Sequence, residues 1–137
     1  MKFVSFVCII AVAQFAAAED NDAQARKNLV GTWKGGVDGG AQGHVLTIKA
    51  DGVTCIRIQG DKTSDIGGGT YKLDLSTKPR RMDGTGTLGG QKGRSYFGIY
   101  SLEGDTLKWC VNSKNPPTEF KTGAGNFCLV LERQKTD

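Results

Sequence analysis

From residue 29 onward, apolar and polar positions alternate with period two over most of the chain, as in half-buried strands. The pattern is clearest at residues 94–112, RSYFGIYSLEGDTLKWCVN, which hold Tyr96, Phe97, Tyr100 and Trp109. Leu107, Trp109 and Val111 alternate there with Thr106, Lys108, Cys110 and Asn112. Two strands are predicted, joined by a tight turn at Glu103-Gly104-Asp105, where Gly104 supplies the positive φ of a short hairpin.

The other segments read as strands laid around this hairpin. Leu29–Val37 is the first. His44–Ala50 alternates, with Leu46 and Ile48 on one face, and Asp51-Gly52 is the strongest hairpin signal in the chain. Val53–Ile58 returns, rich in β-branched residues, with Ile56 and Ile58 as its apolar face. Gln59–Asp65 is predicted to be a polar loop. Ile66–Leu75 follows, with Tyr71, Leu73 and Leu75 alternating against Thr70, Lys72 and Asp74, and Gly67, Gly68 and Gly69 allow a bulge or bend. Arg81–Leu88 is a weaker fifth strand after a turn at Pro79. Pro116-Pro117 stops any strand in the loop after Asn112, and Glu119–Thr122 reads as a brief extended piece. Phe127, Leu129 and Leu131 mark a last strand ending near Arg133. Residues 19–28 are polar, and Asp20 or Asn21 can cap a short helix there. About eight short strands, with turns every 8–12 residues and no long helical pattern, predict an all-β antiparallel fold. Short connections between successive strands favour an up-and-down β-barrel over a sandwich.

Residues 1–18 differ from the rest. Lys2, an apolar run from Phe3 to Phe15 and Ala16-Ala17-Ala18 before Glu19 have the three-part layout of a secretory signal peptide. The run is shorter than the roughly 20 residues a spanning helix needs. The expectation is therefore an exported chain, periplasmic or secreted, without stable membrane insertion after cleavage. Removal of residues 1–18 leaves 119 of the 137 residues, enough for one domain, expected over 29–135. It takes away one basic residue and no acidic one, so the charge falls from +4 to +3. This small, scattered excess includes no basic stripe interleaved with aromatics, and a nucleic-acid partner is not expected.

Cys55, Cys110 and Cys128 remain, on a route that permits disulfides. An odd number leaves one pair with a free thiol, an intermolecular bond, or no bond. Cys110 and Cys128 fall on the side of their strands opposite the large apolar residues, so a bridge is open to them if those strands are neighbours in register.

Two features resemble lipocalin-like barrels: G-x-W at the start of the first strand (Gly31, Trp33) and an Arg on the last (Arg133). In lipocalins such a Trp closes the narrow end of the barrel and the Arg packs across its face, a cation–π contact over an apolar plug. A longer match is carried by LVGTWK at 29–34, GTYKLDLSTKPRRMD at 69–83, GIYSLEGDTLKWC at 98–110 and PPTEFKTGAGNFCLVLERQK at 116–135. In order and spacing these segments resemble the small exported lipocalin-like domain family abundant in planctomycete bacteria. The resemblance implies a β-barrel and export, and it implies no activity and no site residues. Residues 35–68 depart from it, being richer in Gly and poorer in charge.

No catalytic constellation is legible. His44 is the only histidine, nothing places a nucleophile beside it, and a strand-end or barrel-mouth position is expected for it. Gly84-Thr-Gly-Thr-Leu-Gly89 fits G-x-G-x-x-G, but Gly90-Gln91-Lys92-Gly93 will not hold the helix that the motif needs. The acidic residues lack the D-x-D-x-D-G run of a calcium loop, and no C-x-x-C pair suggests a metal. No cofactor is expected. The expectation is a non-enzymatic barrel that binds a small apolar or amphipathic ligand, lined by Tyr71, Leu73, Phe97, Tyr100 and Trp109, with Trp33 and Arg133 closing it. Eight strands are just wide enough to hold a ligand or to be filled by their own side chains, and short strands favour a filled or shallow interior. The alternative is a packed structural or interaction module that binds a protein or polysaccharide through its outer surface.

Overall fold

A computed structural model describes residues 21–40 and 43–135. The segment read as a signal peptide and its cleavage site lie outside the described residues. Helix α1 spans Asp22–Leu29, and eight strands follow: β1 Gly31–Val37, β2 His44–Ile48, β3 Val53–Gln59, β4 Lys62–Asp74, β5 Arg80–Leu88, β6 Ser95–Glu103, β7 Thr106–Asn112 and β8 Phe127–Arg133. Each strand pairs antiparallel with the next, and β8 returns to β1, so the sheet is a closed up-and-down barrel. Among the described residues no helix is long and apolar enough to cross a membrane.

Asn21 starts the helix. Its side-chain oxygen accepts from the backbone N–H of Ala23 at 2.8 Å and of Gln24 at 3.3 Å, which satisfies donors the first turn leaves open. Leu29 ends α1 rather than opening β1, and it is fully buried. Lys62–Asp65 belongs to β4, although its polar side chains suggest a loop. These residues ladder with Ile56–Gln59 of β3 on the exposed side of a hairpin, where polar residues serve as well as apolar ones. Glu119–Thr122 forms no strand.

Closure requires two backbones to meet tightly at the β1–β8 seam. Gly35 lies opposite Leu131, and a Cβ there would collide with the carbonyl oxygen of Val130. A closed ladder leaves no edge for another chain to extend.

One end of the barrel is sealed. Trp33 is fully buried, and its indole N–H donates to the Leu29 carbonyl at 2.9 Å. The Arg133 guanidinium lies over the Trp33 ring, 4.3 Å from its centroid. Arg133 also donates to the carbonyls of Val30 and Asn28, at 3.0 and 2.8 Å, and pairs with Asp105 at 3.1 Å. Arg26 repeats the arrangement beside it, stacked 4.7 Å from the Tyr71 ring and donating to Ala50 O. Tyr71 donates to Lys49 O at 2.7 Å. Leu29, Trp33, Ile48, Met82, Leu107 and Leu131 fill the barrel behind this plug, each almost wholly shielded from solvent.

A second, smaller core lies outside the wall. Cys110 and Cys128 face each other across β7 and β8 and are joined by a disulfide. They pack with Ile99 and with Phe120 from the long 113–126 connection. Thr122 ties the same connection to Asp38 at 2.9 Å. The bridge closes a loop with a sequence separation of 18, for which loop-closure entropy gives about 3 kcal/mol. Replacing both cysteines by serine is expected to lower unfolding stability by about that amount in urea titrations, with the barrel's far-UV circular dichroism retained.

Candidate functional site

The barrel interior divides into two halves of different composition. The sealed half is filled by large side chains. Moving up β5 from Met82, the inward positions become Gly84 and Gly86, and moving up β4 from Tyr71 the next is Gly69. Backbone crowding imposes glycine at two of these: a Cβ at Gly69 would strike Thr85 O, and one at Gly86 would strike Gln91 O. With no side chains on that wall, a cavity of about 660 Å³ opens at the end opposite α1. That lies within the roughly 300–1,000 Å³ of small-molecule sites. The short strands had favoured a filled or shallow interior, and the glycine wall is the reason half of it stays empty.

Leu46, Val53, Cys55, Trp109, Val111 and Leu129 give the cavity its apolar lining. Trp109 is held flat: its indole N–H donates to Met82 O at 3.0 Å, and its ring lies against Gly84 and Gly98. A Cβ at Gly98 would come within 2.6 Å of the indole nitrogen, so glycine there lets the ring sit down. A Cβ at Gly84 would meet the ring at 3.7 Å, ordinary contact. The mouth is polar, with His44, Arg57, Asp65, Gln91, Arg94, Asn112 and Ser113 around it. Tyr96 also lines the cavity and donates to the Gln91 side chain at 2.7 Å, bracing the 89–94 connection over it.

The five residues expected as lining divide. Trp109 lines the cavity. Tyr71 and Leu73 pack in the sealed half. Tyr100 is also buried there and borders a separate cleft of about 430 Å³ between α1 and the β4–β5 turn. Phe97 alternates with the inward Tyr96 and Gly98 and lies on the outer wall, where Arg81 sits 5.9 Å from its ring centroid. On β3 the face is the reverse of that expected from Ile56 and Ile58. Cys55 pairs with Leu46 and Arg57 with His44, so Val53, Cys55 and Arg57 point inward and Ile56 is 40% exposed. A register shift between Cys55 and Ile56 accompanies this.

His44 and Phe127 meet edge to face at the mouth, with ring centroids 5.8 Å apart. The His44 Nδ1 atom is buried and has no hydrogen-bond partner. Burial, helped by neighbouring Arg57, holds the His44 pKa below its ordinary 6.5, so the ring is neutral at neutral pH. Burial pushes the Cys55 thiol up to about 11, which leaves it protonated and a poor nucleophile. Among the described residues no group of three or more His, Cys, Asp or Glu is placed to hold a metal ion.

No protein-family model matches the chain, and no curated protein matches it. The eight-stranded antiparallel closed barrel with a short helix is consistent with lipocalin-like folds in general.

Burial of His44 and Cys55 has two expected outcomes. The unfolded state takes up a proton at His44 near pH 6.5, whereas the folded state resists it to lower pH. The His44 contribution is therefore complete above 6.5 and is lost as pH falls below it. Urea midpoints between pH 7.5 and 5 should fall more steeply for the wild type than for His44→Gln. Cys55 should react with iodoacetamide at pH 8 about a hundredfold more slowly than a free cysteine, because only about one thiol in a thousand is ionised there. Intact mass against time measures this.

Proposed function

We propose that the chain is an exported, non-enzymatic lipocalin-like domain that takes a small amphipathic molecule into the open half of its barrel. The observation that carries this reading is the cavity of about 660 Å³, floored by the fixed Trp109 ring and rimmed by polar side chains. Rigid apolar walls with a few polar groups at one end are the usual make-up of a small-molecule site. A pre-formed cavity also lowers the ordering cost of binding. The glycine wall supports the same reading, since it leaves space that a purely structural barrel would fill.

The motifs at 29–34, 69–83, 98–110 and 116–135 support membership of the planctomycete-type exported family, and the character of residues 1–18 supports export by a cleaved signal peptide. The disulfide fits that route, because such bonds persist in oxidising compartments.

Gly84→Val tests the cavity directly. Valine suits a strand and its Cβ has room, but its methyl groups would stand over Trp109 in the binding space. Binding of an uncharged amphiphile such as decanol, followed by calorimetry, should fall at least tenfold in this variant while its melting temperature holds. Equal binding by the two proteins would remove the cavity as the site.

A further inference from the structure

We infer that the ligand is an amphipathic anion, held with its charged head at Arg57 and Arg94 in the mouth and its apolar body against Trp109, Leu46 and Leu129. This rests on the cavity reading above and adds the sign of the ligand's charge.

The arginines differ in where their charge is matched. Arg26 pairs with Asp22, Arg81 with Asp83 and Arg133 with Asp105. Arg57 and Arg94 form no ion pair among the described residues, and both line the cavity. They reach it from separate stretches of chain, Arg57 from β3 and Arg94 from the connection between β5 and β6. Asp65 is the one carboxylate in the lining. One of its oxygens is taken up locally, accepting from the Gly67 N–H at 2.8 Å. His44 is neutral near pH 7, so the mouth carries two guanidinium charges against one carboxylate.

Arg57 faces inward because the β2–β3 register sets it opposite His44. Arg57, Arg94 and Asp65 are the charged residues that line the cavity. Guanidinium groups bind carboxylates and other oxyanions through two parallel N–H donors. Immediately below them the lining turns apolar. A molecule with an anionic head and an apolar body satisfies both regions at once. An alcohol of the same length leaves the guanidinium groups without a counter-charge, and an amine is repelled by them.

The experiment is calorimetric titration of the full mature chain with decanoate, decyl sulfate, decanol and decylamine, below their aggregation concentrations. The same series is run on an Arg57→Gln, Arg94→Gln double variant. Decanoate and decyl sulfate are expected to bind about tenfold more tightly than decanol, with decylamine weakest. In the double variant the anions should fall to the affinity of decanol, and decanol itself should be unchanged, which shows that the fold and apolar floor persist. Raising the salt concentration should narrow the anion preference and leave decanol binding intact, as for any partly exposed charge pair.

Decanol binding as tightly as decanoate would overturn the charge assignment and leave the cavity reading standing. An anion preference that survives in the double variant would overturn the assignment to Arg57 and Arg94. Failure of all four probes to bind would overturn both readings together.

Discussion

The sealed end of the barrel depends on one side chain. Arg133 stacks on Trp33 and directs its donors to two carbonyls at the end of α1 and to Asp105 in the β6–β7 turn. It thus joins the first strand, the last strand, the helix and a hairpin at a single point. A guanidinium is suited to this because it is planar enough to lie on an indole and carries donors around its whole rim. With that end fixed, Leu29 drops into the barrel and the large apolar residues have something to pack against. The open end has no equivalent, and it can be lined with glycine, a thiol and polar side chains without unfolding the whole.

The two halves follow different physical rules. Near the plug, large apolar side chains occupy the interior positions and are shielded from solvent, and stability comes from apolar burial. Towards the mouth, backbone approaches exclude side chains on β4 and β5, and space is left. The disulfide and Phe120 then stiffen the wall from outside, on β7 and β8, where the long 113–126 connection would otherwise lie loose. Rigid support is placed behind Trp109, the residue that forms the floor.

Much of this was legible in the sequence. Period-two alternation locates the strands because the pleat makes faces alternate, and Asp51-Gly52 and Gly104 mark two of the turns at the sealed end. The alternation also separates Cys110 and Cys128 from the inward face of their strands. Two things escaped it. Alternation says which residues share a face and not which face is inside: Ile56 and Ile58 are the more apolar set on β3, yet pairing with β2 turns Cys55 and Arg57 inward. Alternation also carries no information on height along the barrel axis. Tyr71, Leu73 and Tyr100 are inward or buried, but they belong to the sealed half, and the cavity is floored by Trp109. Height is set by how each strand registers on its neighbours, a property of pairs that no single segment contains. The lone histidine was the one signal that pointed to the mouth.

The placement of α1 has a consequence for how this barrel can be attached to anything else. Arg133 grips the carbonyls of Asn28 and Val30, and the Gln134 N–H donates to Thr32 O, so the chain enters and leaves the barrel on the same side. That side is the plugged one. A tether, a neighbouring domain or a solid support joined near either end would hold the barrel by its base and point the opening away. The orientation is built into the topology, since an even number of up-and-down strands always brings the path back to where it began.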